Sequence, residues 1–131
     1  MDYLTDEHYV ALARIRYELR HFLHFSEEAA AAAGVTPQQH QALLAIRAAG
    51  GEMLVGALAE FLLLKPHSAS EHVDRLAKLG LVSRKPGTAD RRQVSVALTE
   101  DGRAVLASLS RVHREELRRI RPLLTQLIGG L

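Results

Sequence analysis

Two periods of apolar spacing alternate along this chain, and each change of period marks an element. Residues 6–33 contain neither Pro nor Gly and carry Leu12, Leu19 and Leu23 as one stripe, with Tyr9, Ile15 and Phe22 off it. Thr5 or Asp6 suits the cap, residues 29–33 are five alanines, and Gly34 suits the end. The expected helix is about 42 Å long at 1.5 Å per residue. It is longer than a chain of this size needs and apolar on two sides, so one side should be buried against something outside its own fold. Thr36-Pro37-Gln38-Gln39 then signals a second helix, with Thr36 as cap, Pro37 in the first turn and Gln39 closing a capping box. Leu43, Leu44 and Ile46 follow before Gly50-Gly51 stops it. Residues 52–54 read as a small strand, and 55–62 as a short third helix with Leu58 and Leu62 inward.

Pro66 opens a fourth helix, expected to run to residue 79. Ala69, Val73 and Leu76 recur at i, i+4 and i+7, which makes one buried stripe, and His67, Ser68, Glu71, Arg75 and Lys78 fall opposite. Past Gly80 the period becomes two. Residues 81–85 and 93–98 read as paired strands, with Val82, Val94, Val96 and Leu98 inward. Residues 86–92, rich in turn formers and charge, make the tip of the hairpin. Thr99-Glu100-Asp101 caps a fifth helix bearing Val105, Leu106, Leu109, Val112 and Leu117. It should reach about Ile120 and break or kink at Pro122, leaving a short last helix over Leu123, Leu124, Leu127 and Ile128.

The 131 residues, 47% hydrophobic and 24% charged, fit one ordinary globular unit with a modest core. The largest run of bulky apolar residues spans only 61–64, too short for a transmembrane helix, so no membrane partner is expected. Residues 1–7 are polar and acidic without a basic start, so no secretory leader and a cytoplasmic location are expected. The lack of cysteine excludes disulfides, thiolate metal sites, cysteine nucleophiles and thiol-based sensing. Net charge is only +2, but it is unevenly spread. Residues 1–64 hold four arginines against eight carboxylates; residues 65–92 hold seven basic residues against three acids, a local +4. That excess falls on the fourth helix and the hairpin and reads as a polyanion footprint.

Short helices, a tight turn, a further helix and a hairpin make a winged helix-turn-helix, in a mainly α chain with a small β wing. One α-helix fits the major groove of B-DNA, so the polar face of the fourth helix can meet base edges while the basic hairpin tip meets phosphates or a minor groove. The run Leu58-Ala59-Glu60, the stretch 68–82 beginning Ser68-Ala69-Ser70-Glu71, Arg84, Asp90-Arg91-Arg92 and the segment 94–102 ending Leu98-Thr99-Glu100-Asp101-Gly102 resemble the MarR (multiple-antibiotic-resistance regulator) family. The resemblance is residue by residue over about 58–102, and element order extends it along the chain. It implies one domain over 1–131, with dimerisation helices at about 6–33 and 99–131 flanking a DNA-binding lobe at about 36–98. It also implies a homodimeric, cytoplasmic transcription regulator, usually a repressor on a pseudo-palindromic promoter site, released by a small ligand bound between arms and lobe.

Carried over by motif position, Ser68, Ser70 and Arg75 resemble recognition-helix contacts, and Arg92 the wing arginine of the minor groove, oriented by Asp90. Arg84, Lys85 and Arg91 are expected on phosphates, as is Lys65; His67 is expected at a phosphate or base. Three positions depart from the family pattern. Leu63 stands where the turn usually has Gly, Lys65 where it usually has a Ser or Thr cap, and Glu71 where a donor is usual, so a Glu71–Arg75 ion pair is expected. These departures support a rival reading, an interaction module that kept the winged helix and lost DNA binding. Tyr17, His21, His24, Phe25 and His40 are expected to line the pocket for an aromatic or amphipathic ligand. His21 and His24 stand at i, i+3, but no acid completes a ligand set, so neither metal nor other cofactor is expected. No phosphate loop, G-x-S-x-G or H-E-x-x-H occurs, and the paired acids Glu27-Glu28 and Glu115-Glu116 diverge by about 100° on their helices, so no enzyme is expected.

Overall fold

The computed structural model describes residues 2–87, 89, 90 and 92–131. In chain order the elements are α1 (Asp6–Ala32), α2 (Pro37–Ala48), β1 (Glu52–Leu54), α3 (Val55–Phe61), α4 (Pro66–Lys78), β2 (Val82–Pro86), β3 (Val94–Leu98) and α5 (Glu100–Gly129). Thr5 and Thr36 each accept from the backbone N–H three residues on, in capping boxes closed by His8 and Gln39. Among the described residues no helix is long and apolar enough to cross a membrane.

The core lies where α2, α3, α4 and the sheet converge. Leu43, Ile46, Leu58, Val73, Leu76 and Val96 are its largest fully buried side chains. The inward stripe of α4, Ala69, Val73 and Leu76, is wholly buried. Val73 and Leu76 each contribute about 1.5–3 kcal/mol by leaving water, and Ala69 less. The small strand at 52–54 joins the hairpin, so the sheet has three antiparallel strands in the order β1-β3-β2. In that register Val82 faces Leu98, Arg84 faces Val96 and Pro86 faces Val94. Only the lower part of the hairpin is over the core, so Val94 is 40% exposed despite its inward parity. Ser95, of opposite parity, is buried and donates to Glu52 Oε1 at 2.8 Å.

α5 begins against the sheet through one compact knot. Thr99 Oγ1 donates to the Gly80 carbonyl at 2.6 Å and accepts from the Gly102 N–H at 3.0 Å, and the Thr99 N–H donates to the Leu81 carbonyl at 3.1 Å. A Cβ on Gly102 would run into that Leu81 carbonyl, so only glycine lets the helix approach so closely. Beyond the knot α5 packs along α1, and it continues through Pro122 without the expected break. Pro122 forfeits one backbone bond, to the carbonyl of Arg118. Both residues are exposed, so water can solvate that carbonyl and the helix tolerates the loss.

The turn between α3 and α4 is strained at one residue. Leu63 has φ +56°, the left-handed region that favours glycine, and is 91% exposed, so its side chain offers no burial in return. Leu63→Gly is therefore expected to stabilise the fold by about 0.5–1 kcal/mol, the relief of strain net of glycine's greater unfolded-state entropy. The urea midpoint should rise at unchanged slope; a fall would show that the side chain contributes contacts that outweigh the strain.

Candidate nucleic-acid interface

With Ala69, Val73 and Leu76 committed to the core, α4 turns the rest of its circumference outward. Lys65, His67, Glu71, Arg75 and Lys78 are exposed there, and Ser68 and Ser70 are half-buried at its margins. His72, between the two faces, is half-buried with its Nδ1 unpartnered. Lys65 occupies the cap position without a capping side-chain bond. The expected Glu71–Arg75 pair does not form. Glu71 instead meets His67 Nε2 at 3.0 Å, one turn toward the helix start, which leaves Arg75 without a carboxylate partner among the described residues. Arg75 is thus a free cation on the outward face.

The basic residues of the hairpin divide into engaged and presented. Arg84 donates from Nη1 to Asp74 Oδ1 at 2.6 Å and from Nη2 to Ser70 Oγ at 2.7 Å. Lys85 meets Glu52 at 2.9 Å, and this bond, with a second from Ser95, holds the Glu52 carboxyl below its ordinary range. Each of these two cations thus has a carboxylate partner, where the sequence had suggested a phosphate contact. At the tip, Asp90 accepts three bonds from Arg92: Nε at 3.2 Å, Nη2 at 3.2 Å and the backbone N–H at 2.9 Å. Chiefly the side-chain bonds, then the backbone bond, hold Asp90 below its ordinary pKa and so ionised. The Arg92 side chain is nonetheless 92% exposed, a fork steadied from behind and offered to solvent. Arg91 lies outside the described residues.

A cavity of about 800 Å³ opens between α1, α2 and α5. Phe22, Leu23, Leu44, Leu117, Leu124 and Ile128 make it apolar; Arg114, Arg118 and Arg121 stand at it, and among the described residues no carboxylate lines it. Of the five residues expected to line a pocket, His40 alone does so. Phe25 packs against His113 with ring centroids 5.7 Å apart. Tyr17, His21 and His24 do not line it. They form one i, i+4, i+7 stripe on the exposed side of α1, where the rings of Tyr17 and His21 meet at a tilt with centroids 4.4 Å apart and His24 pairs with Glu28 at 3.0 Å. The helix turns about 100° per residue, so the neighbours Phe22 and Ser26 face the cavity instead. Sequence reasoning missed His113. Its signal was present, four and seven residues beyond the buried Leu109 and Leu106 on one stripe. His113 Nδ1 lies 2.6 Å from the Leu109 carbonyl, which can only accept, so that nitrogen carries the proton. Its Nε2 meets Ser26 Oγ at 2.7 Å. Among the described residues no three His, Asp or Glu gather as a metal would need.

Two helices joined by a tight turn, the second backed by a three-stranded sheet with a projecting basic hairpin, define a winged helix-turn-helix. The family model described as the MarR family matches residues 33–93. Over 69 residues the chain is 35% identical to the HTH-type transcriptional repressor MdtR of Bacillus subtilis, an alignment covering 53% of this chain and 44% of that protein. The match thus spans less than half the length of that relative. Among solved structures, Rv1404 from Mycobacterium tuberculosis superposes with a TM-score of 0.78 at 24% identity, over 99% of this chain and 94% of that one. A mutant MarR from E. coli complexed with operator DNA superposes at 0.68 and 23%, over 91% of each chain. At these identities the likeness is one of fold. In its matched lobe, just under half of its length, the chain is similar to the MarR family.

His40 sits where α2 of that lobe meets α5, its ring 4.7 Å from that of His113. Burial first, and His113 second, push its pKa below the ordinary 6.5. The folded state therefore prefers neutral His40. The stability this contributes is present above about pH 6.5 and is lost as pH falls toward the lower folded value. Between pH 7 and pH 5 the wild-type chain should lose more stability than His40→Gln, which cannot titrate. Equal losses in urea melts at the two pH values would contradict the placement of His40.

Proposed function

We propose that this chain is a homodimeric, DNA-binding transcription regulator, a repressor that holds a pseudo-palindromic promoter site and carries out no catalysis. The observation that carries the reading is the joint presentation of α4's polar face, with Arg75 free, and of Arg92 steadied by Asp90 at the wing tip. A helix of this width enters a major groove, and an arginine held on a hairpin reaches an adjacent minor groove or phosphate. Duplex binding through Lys and Arg also fits the local positive charge of residues 65–92. The similar proteins named above, a transcriptional repressor and a MarR complexed with operator DNA, agree with it.

Dimerisation is supported by the two long helices. Tyr9, Val10, Leu12, Leu19 and Leu23 on α1, and Val112, Leu117 and Ile128 on α5, are exposed in the single chain. A second copy would cover them, and a two-fold axis would set the two recognition helices about 34–36 Å apart, one helical turn of DNA. The cavity between α1, α2 and α5 suits a small aromatic or amphipathic molecule. Its apolar walls and three arginines, of which Arg118 also meets Glu115 at 3.8 Å, favour one carrying negative charge. Such a ligand, seated between arms and lobe, would release DNA by shifting the separation of the two reading heads.

Arg92→Ala should weaken binding to a duplex selected from a random library by at least tenfold in fluorescence anisotropy, while gel filtration still shows the dimer. Unchanged affinity would remove the wing from the interface, and no selection of any duplex by an intact dimer would favour a protein-interaction module. Separately, a panel of hydrophobic and phenolic acids should include members that lower DNA affinity, and substituting Arg118 with Ala should blunt them. A panel without effect on DNA affinity would leave the cavity outside regulation.

A further inference from the structure

Arg84 lies on the inner face of the hairpin. The register pairs it with Val96, which is fully buried, and Val82 two residues earlier on the same face is also buried. Its side chain leaves the core where the apolar stripe ends and runs to α4. There its two terminal nitrogens reach Ser70 and Asp74, which are four residues apart and so share one face of that helix. A planar guanidinium donates two near-parallel bonds at fixed spacing, so this contact fixes an angle as well as a distance. Apart from the core below it, this is the described tie between the recognition helix and the wing strand, and both of its partners stand on the helix that would enter DNA.

The geometry points to Arg84 as a positioning residue for DNA binding, a strut that sets the wing's angle to α4 through Asp74 and Ser70 and makes no phosphate contact of its own. This rests on the DNA-binding reading above. Asp74 then has a role that charge alone would deny it. A carboxylate on a DNA-facing helix repels phosphates, and removing it should tighten binding if nothing else depended on it. As the anchor of the strut, its removal should weaken binding.

The opposing signs make the test. Wild type, Asp74→Ala, Arg84→Gln and the double variant are titrated by anisotropy against the duplex that the wild-type chain selects from a random library, over a series of salt concentrations, with folding checked by circular dichroism. Asp74→Ala should weaken binding roughly tenfold despite losing a negative charge, and the double variant should be no worse than the poorer single one, as expected of two residues acting as a unit. Arg84→Gln should leave the slope of log affinity against log salt unchanged. Tighter binding by Asp74→Ala, or a slope reduced by about 0.9 in Arg84→Gln, the signature of one lost phosphate contact, overturns the proposal. If the wild-type chain selects no duplex, the DNA-binding reading fails, and amide hydrogen exchange reads the strut directly. Exchange at residues 82–85 should quicken at least tenfold in both single variants, and equal rates overturn it.

Discussion

The burial of one narrow stripe on α4 governs the rest of the lobe. Ala69, Val73 and Leu76 vanish completely into a core shared with Leu43, Ile46, Leu58 and Val96. Because the stripe is three residues wide and no wider, rotating α4 would expose aliphatic surface and bury His67, Glu71 or Arg75 without partners, a cost of several kcal/mol. The helix therefore has one orientation, and its polar face has one direction. The knot of Thr99, Gly80, Leu81 and Gly102 then fixes where the hairpin ends and α5 begins, so that α4, the wing and the long arm are held as one piece.

Around that constraint the charges are sorted by what lies behind them. Where a basic side chain emerges beside a carboxylate on the same scaffold, it is engaged: Arg84 by Asp74, Lys85 by Glu52. Where the backing carboxylate sits at the base of a tip, as Asp90 does, it orients the cation and leaves it in solvent. Such exposed pairs add little stability; their effect is to place side chains. The arms are organised differently. Their exposed leucines and tyrosines and the cavity rimmed by Arg114, Arg118 and Arg121 put apolar surface where a second copy or a small anion would cover it.

Much of this was legible in the sequence because local rules sufficed. Thr36-Pro37-Gln38-Gln39 named its helix start, the 69–73–76 spacing named the buried face of α4, and period-two strands about the turn-rich segment 86–92 named the hairpin, whose Asp90 and Arg92 were marked only by the family resemblance. What was hidden depended on distant residues. His113 reaches Ser26 across 87 positions, so no window of sequence could pair it with α1. Arg84 reads as one more basic residue until the strand register turns it toward the core. Glu71 had two partners at i±4, His67 and Arg75, and spacing alone does not choose between them. Pro122 is a strong local signal that was overridden, since the packing of α5 against α1 and the solvent exposure of Arg118 offset one lost hydrogen bond. Leu63 shows the converse: its absence of side-chain burial and its left-handed backbone were signalled only by a departure from the usual glycine.

Photo-cross-linking of the dimer to its selected duplex, with the attachment points located by mass spectrometry, tests the central claim most directly, because it asks which surface meets DNA without altering that surface. Cross-links are expected on residues 65–78 and on the wing around Arg92, with the arms unmarked. Cross-links concentrated on α1 or α5, with α4 and the wing bare, would contradict it.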